Sequence, residues 1–198
     1  MELYKQTTDY TCAACSLMMV LNHFKGFKLN RENEFRVWRD TVNLPTRATS
    51  IYGMAAFAKK QGVDVKMFLE EKEYDYPDYR FKGYTKKEID DAKYMSRISD
   101  KDVFNFEISI EEREISVQEI INLLNDGKIL ILRVNAGALR DTRSTSKYLP
   151  FFKTKKSELI NVFDPMKGEL LIDTKALEES FETLQTKKKR DHRVLIFG

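Results

Sequence analysis

From Cys12 to Phe24 the chain is strongly apolar, with Ala13, Ala14, Leu17, Met18, Met19, Val20 and Leu21 in close succession. This pattern predicts a buried helix that begins at Cys12, with Asp9 and Thr11 placed to cap its start and Gly26 placed to end it. A second helix is predicted from Glu32 to Thr41, with Phe35 and Trp38 on one face. A third starts near Thr49 or Ser50 and runs to Gly62 through Met54, Ala55, Phe57 and Ala58. Val63 to Leu69 then alternates as a strand does.

The pattern weakens after Glu70. The stretch to Gly83 is polar and rich in tyrosine (Tyr74, Tyr76, Tyr79, then Tyr84) and reads as a long loop. A short helix is predicted near Thr85 to Met95, and a half-exposed strand from Phe104 to Ile110. Ser116 and Glu119 have the spacing of a capping box, opening a helix to Asn125 that Gly127 stops. Lys128 to Val134 is a nearly continuous apolar strand, and Asn135 to Lys147 a polar loop. Tyr148 to Phe152 and Leu159 to Phe163 read as a hairpin. A turn at Pro165 to Gly168 leads to a short strand from Glu169 to Ile172. Asp173 caps a helix to about Leu184, and Arg193 to Phe197 forms a terminal strand. Helices first and an antiparallel sheet afterwards is an α+β order.

The 198 residues suit one domain, read here as residues 1–198, with 42% hydrophobic and 33% charged residues, a globular composition. A net charge of +3 gives no field directed at nucleic acid, and the basic run Lys187 to Arg190 reads as a solvated turn. No apolar run approaches the ~20 residues that span a bilayer. The first residues show no signal-peptide core, so the expectation is a cytoplasmic protein with no membrane role, in which Cys12 and Cys15 stay reduced. Two cysteines and two histidines, widely scattered, do not make a zinc site. No cofactor and no metal are expected.

The candidate chemistry lies in Gln6-Thr-Thr-Asp-Tyr-Thr-Cys12. A thiol in the first turn of a helix feels the positive end of the helix dipole, which favours the thiolate nucleophile. An amide side chain upstream can donate to the oxyanion that forms when a thiolate attacks a carbonyl. A cysteine here can equally be a small core hydrophobe. Gln6, five residues, then Cys12-Ala-Ala-Cys-Ser-Leu-Met-Met-Val-Leu resembles the opening of the C39-like branch of the papain-type cysteine peptidases, with Ala13-Ala14 where that family often has Gly-Pro. The downstream order agrees: an apolar strand, a hairpin, then Phe163-Asp164-Pro165-Met-Lys-Gly168. The resemblance implies a papain-like fold, with Cys12 as nucleophile, Gln6 as oxyanion donor and Asp164 as the carboxylate that orients the base.

The family's histidine is the departure. It opens the strand one hairpin before the Asp-Pro, and here Tyr148 falls in that place, beside Lys147. A phenol with a pKa of ~10 is a poor base at neutral pH, and losing a general base costs about a hundred- to ten-thousand-fold in rate. If the site is degenerate, a histidine introduced at 148 is expected to create or raise amidase activity, with Asp164 and Gln6 placed to orient imidazole and oxyanion. His23 lies eleven residues along the helix from Cys12 and is out of reach. His192 reaches the site only if the terminal strand lies beside that of Tyr148. Cys12-Ala-Ala-Cys15 also has redox spacing but lacks a preceding strand. Two functions remain open. One is a cysteine hydrolase acting on a peptide or amide bond, with Tyr148 or His192 in place of the missing base. The other is a degenerate domain that binds a peptide or partner protein without cutting it. An acyl transferase using the same thiol is a third.

Overall fold

The computed structural model describes residues 1–72, 83–154 and 158–198. Its elements are α1 (Cys12–Lys25), α2 (Arg31–Thr41), α3 (Ile51–Lys60), β1 (Val65–Leu69), α4 (Lys86–Asn105), β2 (Ser109–Glu112) and α5 (Val117–Asn125). Then come β3 (Ile129–Asn135), α6 (Ala136–Leu139), β4 (Ser146–Phe152), β5 (Ile160–Asp164), β6 (Gly168–Ile172), α7 (Thr174–Thr186) and β7 (Arg193–Phe197). The tyrosine-rich stretch through Tyr79 falls largely outside the described residues.

Seven strands form one mixed sheet in the order β2-β1-β7-β3-β4-β5-β6. Every neighbouring pair is antiparallel except β1 and β2, which are parallel. The parallel pair needs a crossover, and α4 lies in it. The architecture is therefore α+β, as the element order predicts, but the sheet draws strands from both halves of the chain.

The strand period of two divides the core. Ile129 and Ile131 of β3, with Leu195 and Phe197 of β7, face one cluster with α1 and α3. Leu130, Leu132 and Val134, with Val194 and Ile196, face a second with α5 and α7. Strands covered on both faces read as continuous apolar runs, which is why Lys128 to Val134 shows no alternation.

Two elements differ from the sequence reading. The alternation from Phe104 to Ile110 is not one strand. α4 continues to Asn105, burying Ile89, Ala92 and Val103 on one face while Phe104 stands 84% exposed. Ser96 and Ser99 on that stripe hide its helical period. The backbone reverses at Glu107, at φ 52°, before β2 begins. The polar loop after Asn135 also holds α6. The Asn135 side chain accepts from the Gly137 and Thr145 amides at 3.2 and 3.0 Å, closing the loop on itself. Gly137 is required there, because a Cβ would meet the Arg143 carbonyl at 2.5 Å. Among the described residues, no helix is long and apolar enough to cross a membrane.

Candidate functional site

α1 starts where predicted, at Cys12, against β4. The arm before it is fixed by one buried carboxylate. Glu34 of α2 accepts from the Thr7 amide at 2.8 Å, from the Tyr4 hydroxyl at 3.0 Å and from the Thr11 hydroxyl. Thr11 is the N-cap residue, yet its side chain makes no cap hydrogen bond. Its hydroxyl is committed to Glu34.

The Cys12 thiol lies 3.9 Å from the backbone carbonyl of Tyr148, which also accepts from the Ser16 hydroxyl at 2.8 Å. Cys12 and Ser16 are one turn apart and share this acceptor. Burial pushes the Cys12 thiol up to about 12; the positive charge of Lys147 opposes the rise, Asp164 adds to it, and Arg140 and Ser16 oppose it. This is opposite to the activation expected from the helix dipole: desolvation outweighs the dipole and two nearby cations. Cys15 is also pushed up, first by burial and then by Glu34. Both cysteines are free and buried.

Asp164 ends β5, on the strand beside β4, and is fully buried. Its partner is Arg140, at the C-terminal end of α6. Nε meets Oδ2 at 2.5 Å and Nη2 meets Oδ1 at 2.7 Å. Oδ1 also accepts from the Met166 amide at 2.9 Å, and the Lys167 amide lies at 3.3 Å. The carboxylate expected to orient a histidine is thus held by a guanidinium and by its own turn. The sequence gives no signal for Arg140, which sits in an aperiodic polar loop and meets Asp164 only through the fold.

Gln6 is brought to the same end of the molecule by its backbone, whose amide donates to the Pro165 carbonyl at 2.9 Å. Its side-chain Nε2 donates to the Thr8 carbonyl at 2.5 Å, while Oε1 is buried without a partner. The Tyr148 ring packs against the first core cluster, and the Arg133 guanidinium lies 5.8 Å from its centroid. From β4, the thiol therefore meets a carbonyl and the charge of Lys147.

His192 does not reach the thiol. β7 pairs with β1 and β3, so β3 stands between it and β4. Nδ1 of His192 is 2.6 Å from Glu70 and Nε2 is 3.1 Å from the Phe181 carbonyl, with the ring stacked on Phe181 at 3.9 Å. His23 lies exposed toward the far end of α1, edge-on to Phe24. Among the described residues, no group of three or more His, Cys, Asp or Glu side chains gathers to hold a metal ion.

The neighbourhood of Cys12 thus holds a protonated thiol, a spent carboxylate, two cations and a half-committed amide. No curated protein matches the chain. The profile of the family described as Peptidase_C39 like matches residues 1–186, nearly the whole length, and the chain belongs to that family.

Proposed function

We propose that this chain is a catalytically degenerate C39-like domain that binds a peptide or partner protein at the Cys12 face without cleaving it. The observation that carries this reading is the two-point pairing of Asp164 with Arg140. In a thiol peptidase the carboxylate orients the base that takes the thiol proton. Here it pairs with a guanidinium, a group with N–H donors and no acceptor to receive a proton. Among the described residues, the groups that act on the Cys12 thiol, pushed up to about 12, are Lys147, Asp164, Arg140 and Ser16, and no imidazole is among them. The reading takes the protein to work in a reducing, cytoplasmic setting, with a peptide rather than nucleic acid as partner.

A hydrolase is the second reading, and one observation favours it. Lys147 and Arg140 both lower the Cys12 pKa against burial, and a substrate that brought the thiolate closer to these charges would lower it further. In that case Cys12 is the nucleophile, Gln6 the oxyanion donor and Asp164 a positioning group, with Tyr148 in the place of the family's histidine. Retention of randomised peptides on wild-type protein and on Cys12→Ala separates the two. A binding domain retains the same peptides on both, whereas a hydrolase accumulates them on the variant alone.

A further inference from the structure

A row of rings and guanidinium groups runs along α2 to the arm that carries the thiol. On α2, Arg31, Phe35 and Trp38 follow one another at helical spacing and share a face. The Arg31 guanidinium lies over the Phe35 ring, 5.6 Å from its centroid, and the Phe35 and Trp38 rings meet edge to face at 6.4 Å. Trp38 then meets Tyr10 at 5.0 Å, and Arg47 lies over the Tyr10 ring at 4.8 Å. Tyr10 stands two residues before Cys12, on the arm that buried Glu34, also of α2, holds through Thr7 and Thr11. One side of α2 thus fixes the arm, and another continues the arm's aromatic surface.

The three rings are half-buried, and Arg31 and Arg47 are exposed. Trp38 rests against the first core cluster, which fixes the middle of the row. Arg39, next to Trp38 in sequence, is already paired with Asp40 at 3.0 Å. Among the described residues, neither Arg31 nor Arg47 is ion-paired with a carboxylate, although Asp9 and Glu32 lie exposed beside the row in sequence. A guanidinium stacked on a ring still presents N–H groups at its edge, in the fork that a carboxylate matches with two bonds. Arg31 and Trp38 are about 10 Å apart along the helix, at ~1.5 Å per residue, and Tyr10 and Arg47 carry the row further. An extended chain of roughly six residues, at ~3.3 Å each, spans it.

We propose that this row binds an acidic segment of the peptide held at the Cys12 face, with carboxylate side chains on Arg31 and Arg47 and an apolar or aromatic side chain between them on Phe35, Trp38 and Tyr10. The proposal rests on the peptide-binding reading above and names the chemistry of that partner. Rings that hold a fixed position offer apolar contact at little entropic cost, and the two end cations set the charge the segment must carry. A strand of nucleic acid also stacks on rings, but it needs a run of cations for its phosphates. The row has two, with Asp9 and Glu32 beside them in sequence.

Trp38 is the chain's single tryptophan, so its fluorescence reports on the row directly. Randomised octapeptides are passed over the immobilised full-length protein, the retained peptides are sequenced, and individual ones are titrated while Trp38 emission is followed. The same titrations are run on a variant carrying Arg31→Gln and Arg47→Gln; both arginines are exposed, and circular dichroism checks that the variant folds. The expected result is enrichment of Asp and Glu, a saturable change in Trp38 emission, and binding about tenfold weaker in the double variant. Peptides retained with no acidic preference, bound equally by the variant, or bound without any change at Trp38 overturn the acidic-segment site while leaving peptide binding intact. Failure to retain any peptide overturns both readings. A saturable Trp38 response to oligothymidylate, with none to acidic peptides, makes the partner a nucleic acid and overturns the proposal.

Discussion

Arg140 grips Asp164 with two nitrogens on two oxygens, at 2.5 and 2.7 Å, and the carboxylate has no exposure to solvent. Removing one partner of such a pair leaves a buried charge. Arg140→Met is expected to cost about 3–5 kcal/mol in urea unfolding. Arg140→Met combined with Asp164→Leu should recover part of this, less the loss of the turn amides that Asp164 accepts. A single substitution within about 1 kcal/mol of wild type would mean the pair is a loose surface contact.

Cys12 and Cys15 should both alkylate slowly in the folded protein near neutral pH. With the Cys12 thiol pushed up to about 12, its thiolate at pH 7.5 is on the order of a thousandfold scarcer than in the unfolded chain. Cys12 should still react before Cys15, since Lys147 and Arg140 favour its thiolate while Glu34 and Cys12 disfavour that of Cys15. A thiol whose pKa is raised by folding supports the fold below its unfolded value near 8.5, and that support is lost as pH rises from there toward 12. Iodoacetamide labelling with peptide mapping across pH 7–10 checks both; rapid labelling of Cys12 at pH 7 would show an activated thiol.

A histidine at 148 should not by itself create an amidase. The ring at this position packs on the first core cluster near Arg133, and Asp164 is already taken. Tyr148→His is expected to show no turnover above the Cys12→Ala background with peptide anilides. Activity in that single variant would mean that position 148 can turn its side chain to the thiol and free Asp164.

Much of the fold could be read from the residues because α1, β3 and β7 carry apolar runs that have one structural solution. The capping box at Ser116 shows where reading stops. Ser116 does accept from the Glu119 amide at 3.1 Å, but the Glu119 carboxylate turns to Arg113 instead of back to the cap. Local spacing proposed the pair and a tertiary cation redirected it. The site follows the same rule. Cys12, Gln6 and Asp164 announce themselves by motif, and the chain does bring them to one end of the molecule. Arg140, Ser16 and the Tyr148 carbonyl are defined by which strand lies beside which helix, and no periodicity encodes them.

Glu34 is the anchor of the arm that leads to the thiol. Glu34→Gln keeps the shape but replaces a charged acceptor that serves Thr7, Thr11 and Tyr4. A loss of about 1–3 kcal/mol is expected, with faster amide exchange from Tyr4 to Thr11. The Tyr4 phenol, pushed up to about 12 by burial and by Glu34, should titrate closer to ~10 in the variant. Exchange unchanged over the arm would show that its order does not depend on this carboxylate.

Product analysis of the retained peptides tests the central claim most directly. Peptides captured from a randomised pool are incubated with wild-type protein and with Cys12→Ala, and new amine termini are sought by mass spectrometry. A binding domain whose Asp164 is held by Arg140 returns every peptide intact from both proteins. Peptides shortened by the wild type and left whole by Cys12→Ala would contradict it, and would make Cys12 the nucleophile of a working hydrolase.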